Sequence, residues 1–204
     1  MKYREILIDQ LKVLPYFDKK MVYDLSDQYG LKVGTVDAYV NRSLVCKELI
    51  QLKKGTYVTD AYFKIYKNDI SYIFYLANIL RQPSYVSSWT ALQYYDLTTE
   101  VIHPVISVTT KITRNYQNKV GNFAYHSMKK SLFLDFSLVK GSFDFFIATP
   151  AKALFDLVYF KTNQFKGLKI EDVKMLVEDL RVDIDEMGKK EREKFYMMVK
   201  KQLK

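Results

Sequence analysis

The sequence predicts an α+β chain: an N-terminal winged helix-turn-helix, then a mixed α/β domain with a small sheet and several helices. Three observations predict it. Residues 21–42 read as a helix, a glycine turn and a second helix. Residues 49–59 read as a two-strand hairpin around Lys53-Lys54-Gly55. After Thr59, β-branched runs alternate with helical periods. The expected domains are residues 1–64 and 65–204, the second closing in a helical tail over about 168–204.

Residues 3–14 are helical by period: Ile6, Leu7, Leu11 and Leu14 share a stripe, and Pro15 stops it. Asp18 is the expected N-cap of the next helix, which turns Met21, Val22 and Leu25 inward. Gly30 closes that helix through a left-handed backbone. The third helix is expected over residues 33–46. Its Val36, Val40 and Leu44 pack on the first two helices, and Cys46 belongs to the core.

The other face of that helix carries Gly34, Ala38, Asn41 and Arg42, with Thr35 at its side. Small residues let a helix approach a groove closely, and Asn and Arg suit adenine and guanine edges or phosphate. Lys32, just before the helix, is within reach of a phosphate. Lys53 and Lys54 put two cations at the hairpin tip, where a wing contacts the backbone. The candidate DNA-binding residues are therefore Lys32, Thr35, Asn41, Arg42, Lys53 and Lys54.

Ile70–Leu80 is an apolar run that predicts a helix leading into the second domain. Residues 83–87 are extended, and Ser87 or Ser88 caps a helix over 89–95. Val105–Thr109, Asn122–Ser127, 132–136 and 143–148 predict strands. Thr149-Pro150 opens a helix, with Thr as N-cap and Pro at its first position, that buries Ala153, Leu154, Leu157 and Val158. Two tail helices are expected over 171–180 and 189–201.

A hydrophobic content of 49% supports a real core, and a net charge of +9 favours a polyanionic partner. The charge is spread: +3 over residues 1–64, +5 over 65–167 and +1 over 168–204. Cys46 is the only cysteine, so no disulfide forms within the chain, which fits a reducing, cytoplasmic setting. Asp9 and Lys12 break any signal-peptide core, and Ile70–Leu80 is too short to span a bilayer.

Other candidates carry less. A zinc finger fails on ligand count, since only His103 and His126 join Cys46. The two histidines lack an acidic or thiol cluster. Seven scattered glycines form no phosphate-cradling loop, so no cofactor or metal is expected. Trp89, Tyr94 and Tyr95 have the spacing of a core stripe. Asp135, Asp144 and Lys152 are the residue types of a metal-dependent nuclease, but no second carboxylate stands two residues before Lys152. Asp156 reads as a buried carboxylate that fixes its helix to the sheet.

The order Gly55-Thr56-Tyr57-Val58, Pro83-Ser84-Tyr85-Val86-Ser87, Ala91-Leu92, Leu97 and Ile147-Ala148-Thr149-Pro150-Ala151-Lys152-Ala153-Leu154-Phe155-Asp156 resembles the AbiEi-like antitoxins of type IV toxin–antitoxin systems, known from abortive phage infection. The resemblance covers most of residues 15–160. Lys152 stands where the family usually has Glu. The resemblance implies a DNA-binding domain that represses its own operon at inverted repeats. It implies a second domain that counters a nucleotidyltransferase-like toxin without a stable complex. The expected protein is a non-enzymatic regulator, and because one protomer on one half-site binds weakly, two protomers of a monomer or weak dimer are expected on each operator. The alternatives are a winged-helix module that binds protein rather than DNA and, as a minor reading, the nuclease.

Overall fold

The computed structural model describes residues 2–100 and 104–203. His103 therefore lies outside the described residues. The fold is mixed α+β, with nine α-helices and two sheets among the described residues. Two compact units divide the chain: residues 1–76 with 116–122, and residues 77–115 with 123–204.

In the first unit, α1 (Lys2–Leu11) leads to the two-residue β1 (Phe17–Asp18), then α2 (Lys19–Asp27) and α3 (Val33–Val45). β2 (Leu49–Lys53) and β3 (Thr56–Thr59) follow, and a three-stranded antiparallel sheet runs in the order β1-β3-β2. The unit is completed by α4 (Asp60–Tyr66) and the start of α5 (Ile70–Leu80). The core is Leu11, Phe17, Val22, Val36, Val40, Leu49 and Tyr57, with Leu14, Leu25 and Leu44 packed partly against it. Asp18 caps α2 as expected: its Oδ1 accepts the N–H of Met21 at 2.8 Å.

Several local expectations need correction. α1 ends at Leu11 rather than residue 14, three residues before Leu14 folds back onto the core. Met21 is 39% exposed, because the inward arc of α2 falls on Val22 and Ser26 instead. Cys46 is exposed. It caps the C-terminus of α3, where the chain turns through left-handed Lys47 toward β2, so its side chain leaves the core stripe.

A six-stranded mixed sheet, most of whose residues belong to the second unit, takes β4 (Ser84–Val86), β5 (Val105–Thr109), β6 (Arg114–Gln117), β7 (Asn122–Ser127), β8 (Phe136–Val139) and β9 (Phe145–Ala148) in the order β6-β7-β5-β4-β9-β8. β4 pairs antiparallel with β5 and parallel with β9, β5 pairs parallel with β7, and β8 pairs antiparallel with β9. The helices are α6 (Ser88–Tyr94), α7 (Pro150–Lys161), α8 (Ile170–Asp179) and α9 (Lys189–Gln202), and α7 packs against α6 and α9. α7 is buried nearly all round, including the expected Ala153, Leu154, Leu157 and Val158.

α5, β5 and β7 have the bounds that the sequence predicts. Residues 132–136 do not form a strand. Lys130–Leu132 is a 3₁₀ turn, Asp135 is left-handed at φ 59°, and the strand starts only at Phe136. No helix among the described residues is long and apolar enough to cross a membrane.

Candidate nucleic-acid interface

α3 has two faces because its period is helical. Val36 and Val40 are buried, while Lys32, Gly34, Thr35, Ala38, Asn41 and Arg42 are exposed. Positions 34, 35, 38, 41 and 42 include spacings of three and four, so they form one stripe of the helix surface. The stripe is small in its middle and polar toward its C-terminal end. Among the described residues, the side chains of Lys32, Thr35, Asn41 and Arg42 have no intramolecular partner. Val33 and Val45 flank the stripe at 57% and 81% exposure.

The β2–β3 turn carries the other two candidates. Gly55 sits at φ +78°, a conformation that a side chain would strain, so the turn depends on glycine. Lys54 is exposed, whereas Lys53 is half-buried, pairs with Thr56 in register and has an interaction within the fold. The structure thus groups Lys32, Thr35, Asn41 and Arg42 on one helix surface and puts Lys53 and Lys54 on a separate hairpin.

Two further features were not read from the sequence. The segment 116–122 belongs to this unit, and Asn118 Nδ2 donates to the carbonyl of Leu52 at 2.9 Å. That contact puts exposed Lys119 on a turn beside β2. Its local signal was the Asn118–Gly121 turn, where Asn118 Oδ1 accepts from Val120 and Gly121 N–H.

The second feature lies on α3 itself. Asp37 Oδ1 accepts from Lys19 Nζ at 2.8 Å and from the Tyr23 hydroxyl at 2.7 Å. Lys19 and then Tyr23 hold the Asp37 carboxyl below its ordinary value of 3.8. The hydrogen bonds that Lys19 and Tyr23 donate to Asp37 raise the pKa of each donor. The clasp ties the start of α2 to α3 and screens a negative charge that would otherwise repel phosphate beside the stripe.

The remaining candidates are engaged within the fold. Asp135 pairs with Lys194 at 2.9 Å, Asp144 with Lys140 at 2.6 Å, and Lys152 with Asp156 at 2.6 Å. Each of the three is thus held in an ion pair. No group of three or more metal-ligating side chains occurs among the described residues. His126 is half-buried, with its ring 4.9 Å from that of Phe160, and burial lowers its pKa. Tyr95 is half-buried and donates to the carbonyl of Ala148, while Tyr94 is 37% exposed.

Asp156 is fully buried and accepts from Lys152, Tyr85 at 3.0 Å and Ser87 at 2.7 Å. The sequence offers Ser87 or Ser88 as the cap of α6, and the structure selects Ser87 by position. It stands at the N-cap position, but its hydroxyl turns to Asp156 and makes no cap bond. Lys152, a nuclease candidate by residue type, is thereby a structural partner one helical turn from Asp156.

No family model matches the chain, and no curated protein matches it.

Proposed function

We propose that this protein is a DNA-binding autorepressor and antitoxin of the AbiEi-like type, whose first unit is a winged helix-turn-helix. In this reading α3 enters the major groove, the β2–β3 hairpin is the wing, and the second unit counters a nucleotidyltransferase-like toxin. One observation carries it: the uncommitted stripe Gly34-Thr35-Ala38-Asn41-Arg42 on a helix whose opposite side is the core. A helix that keeps Arg and Asn unpaired in solvent, on a chain of net charge +9, has the chemistry for phosphate and base edges. Lys32, Lys53 and Lys54 supply backbone contacts. Two protomers of a monomer or weak dimer occupy an inverted repeat upstream of the protein's own operon, each adding one half-site. No enzymatic step, cofactor or metal enters this reading, and the site of action is the cytoplasm.

Fluorescence anisotropy tests it, with the protein's own upstream duplex against a scrambled duplex at two salt concentrations. The expected result is sequence-dependent binding that Arg42→Ala weakens by about 1–3 kcal/mol. Lys53→Ala/Lys54→Ala should weaken both duplexes alike and flatten the salt dependence. If binding is equal on both duplexes and survives Arg42→Ala, the reading fails.

A second reading rests on Val33 and Val45, apolar residues left in solvent at the two ends of the stripe. They suit a protein partner in place of DNA. In that case Val45→Asp removes a co-purifying neighbour-encoded protein, and DNA binding is weak throughout.

A further inference from the structure

In the second unit, the chain leaves α7 through an unusual backbone. Asn163, Gln164 and Phe165 are all left-handed, at φ 49°, 68° and 60°, and Gly167 follows at 74°. Three consecutive non-glycine residues in that region are costly unless something fixes them. Here Gln164 N–H donates to the Tyr159 carbonyl at 2.8 Å and Phe165 N–H to Thr162 Oγ1 at 3.1 Å. The buried Phe165 ring stands 5.4 Å from that of Phe155.

This fixed loop borders an open cavity of about 630 Å³. Lys129, Lys166 and Lys169 line it, together with Tyr159, Asn163 and Gln164. No carboxylate does. The three lysines are exposed, and among the described residues none forms an ion pair. No described acceptor takes the N–H of Lys166 or Gly167. The acids nearest Lys169 in sequence, Glu171 and Asp172, are not among the residues that line the cavity, and one Asp172 oxygen accepts the N–H of Lys169 at 2.7 Å.

We propose that this cavity binds a small polyphosphate anion, with the ammonium groups of Lys129, Lys166 and Lys169 around it and the free loop N–H groups donating to it. One carboxylate ligand would leave two of the three cations unmatched, whereas a di- or triphosphate engages all three. The volume is that of a small-molecule site and suits a single ligand rather than a nucleic-acid track. A nucleoside triphosphate and inorganic triphosphate share this chemistry. The amides of Asn163 and Gln164 would distinguish them by adding hydrogen bonds to a base or ribose. The proposal is independent of the DNA-binding reading.

Isothermal titration calorimetry of the full chain at physiological salt tests it, with sodium tripolyphosphate and ATP as separate probes. Saturable binding of one ligand per chain is expected. Lys129→Gln/Lys166→Gln/Lys169→Gln should weaken it at least about tenfold. The charge-matched Lys111→Gln/Lys140→Gln/Lys189→Gln should leave it unchanged. Circular dichroism melts check that both variants are folded. Equal affinity for the two probes assigns recognition to phosphate alone, and tighter ATP binding adds the nucleoside. The proposal is overturned if neither probe saturates, if both triple variants lose affinity equally, or if an unrelated duplex DNA displaces tripolyphosphate from the cavity stoichiometrically.

Discussion

In the first unit Asp37 accepts from Lys19 and Tyr23; in the second unit Asp156 accepts from Lys152, Tyr85 and Ser87. The two carboxylates share a lysine and a tyrosine as partners, yet their acidities move in opposite directions. Asp37 is partly exposed, so its hydrogen bonds outweigh the cost of burial and lower its pKa. Asp156 has no exposure, so burial dominates and raises its pKa although Lys152, Ser87 and Tyr85 all oppose it. Access to water, rather than the partner set, decides the sign. The same difference separates the roles of the two units' polar groups. On α3, Thr35, Asn41 and Arg42 remain exposed, while Lys152 and Asp156 on α7 are sealed into the packing.

The largest expected effect comes from breaking the buried pair. Lys152→Met leaves the Asp156 charge without its counter-ion and should cost about 3–5 kcal/mol in chemical denaturation. Lys152→Met/Asp156→Leu removes both charges and should recover most of that loss. If the single and double variants unfold alike, the pair is not what holds α7. The corresponding change in the first unit, Lys19→Met, should leave the melting temperature nearly unmoved, because Asp37 is hydrated. Equal losses at both sites would break the comparison.

A smaller effect sharpens the comparison between helix starts. Asp18 caps α2 with a 2.8 Å bond, and Thr149 caps α7 with a 3.4 Å bond. Either residue changed to Ala should cost about 1 kcal/mol, the shorter and charged Asp18 bond more than the longer one. Hydrogen exchange at the Met21 and Lys152 amides reads each cap separately.

Much of this was legible because it is local. Ile70–Leu80 is a strongly apolar stretch broken only by Ser71 and Asn78, Val105–Thr109 is dense in β-branched residues, and Thr149-Pro150 is a helix start by side-chain and ring geometry. The exposed stripe of α3 followed from period alone. What failed was decided elsewhere in the chain. β1 has only two residues and exists because β3 pairs with it. The segment 116–122 reaches β2 through Asn118, a partner 66 positions away. Ser87 leaves its cap role for an aspartate 69 positions on. The lysines of the second unit's cavity, Lys129 and the Lys166–Lys169 pair, are likewise brought together only by the fold. Lys152 and Asp156 are the exception. Their spacing of four on one helix is a local signal for an ion pair.

The smallest predicted effect tests the comparison most directly, through the pH dependence of stability. The folded pKa of Asp37 lies below 3.8, so its contribution is complete above 3.8 and is lost as pH falls through the folded value. The folded pKa of Asp156 lies above 3.8, so the folded state holds its proton longer than the unfolded chain does. Its contribution is present below 3.8 and is lost as pH rises through the folded value. The two residues therefore tilt the acid limb in opposite senses. Asp37→Asn should make stability rise less steeply with pH on the acid side of 3.8, and Asp156→Asn should make it rise more steeply above 3.8. Denaturation midpoints measured across that limb for the wild type and both variants give the slopes. The slope is the informative quantity because Asp156→Asn also lowers the whole curve by weakening the bond to Lys152. Parallel slopes in all three proteins would mean that water access does not separate these two aspartates. A change of the same sign in both variants would mean that the hydrogen-bond donors, and not burial, govern Asp156.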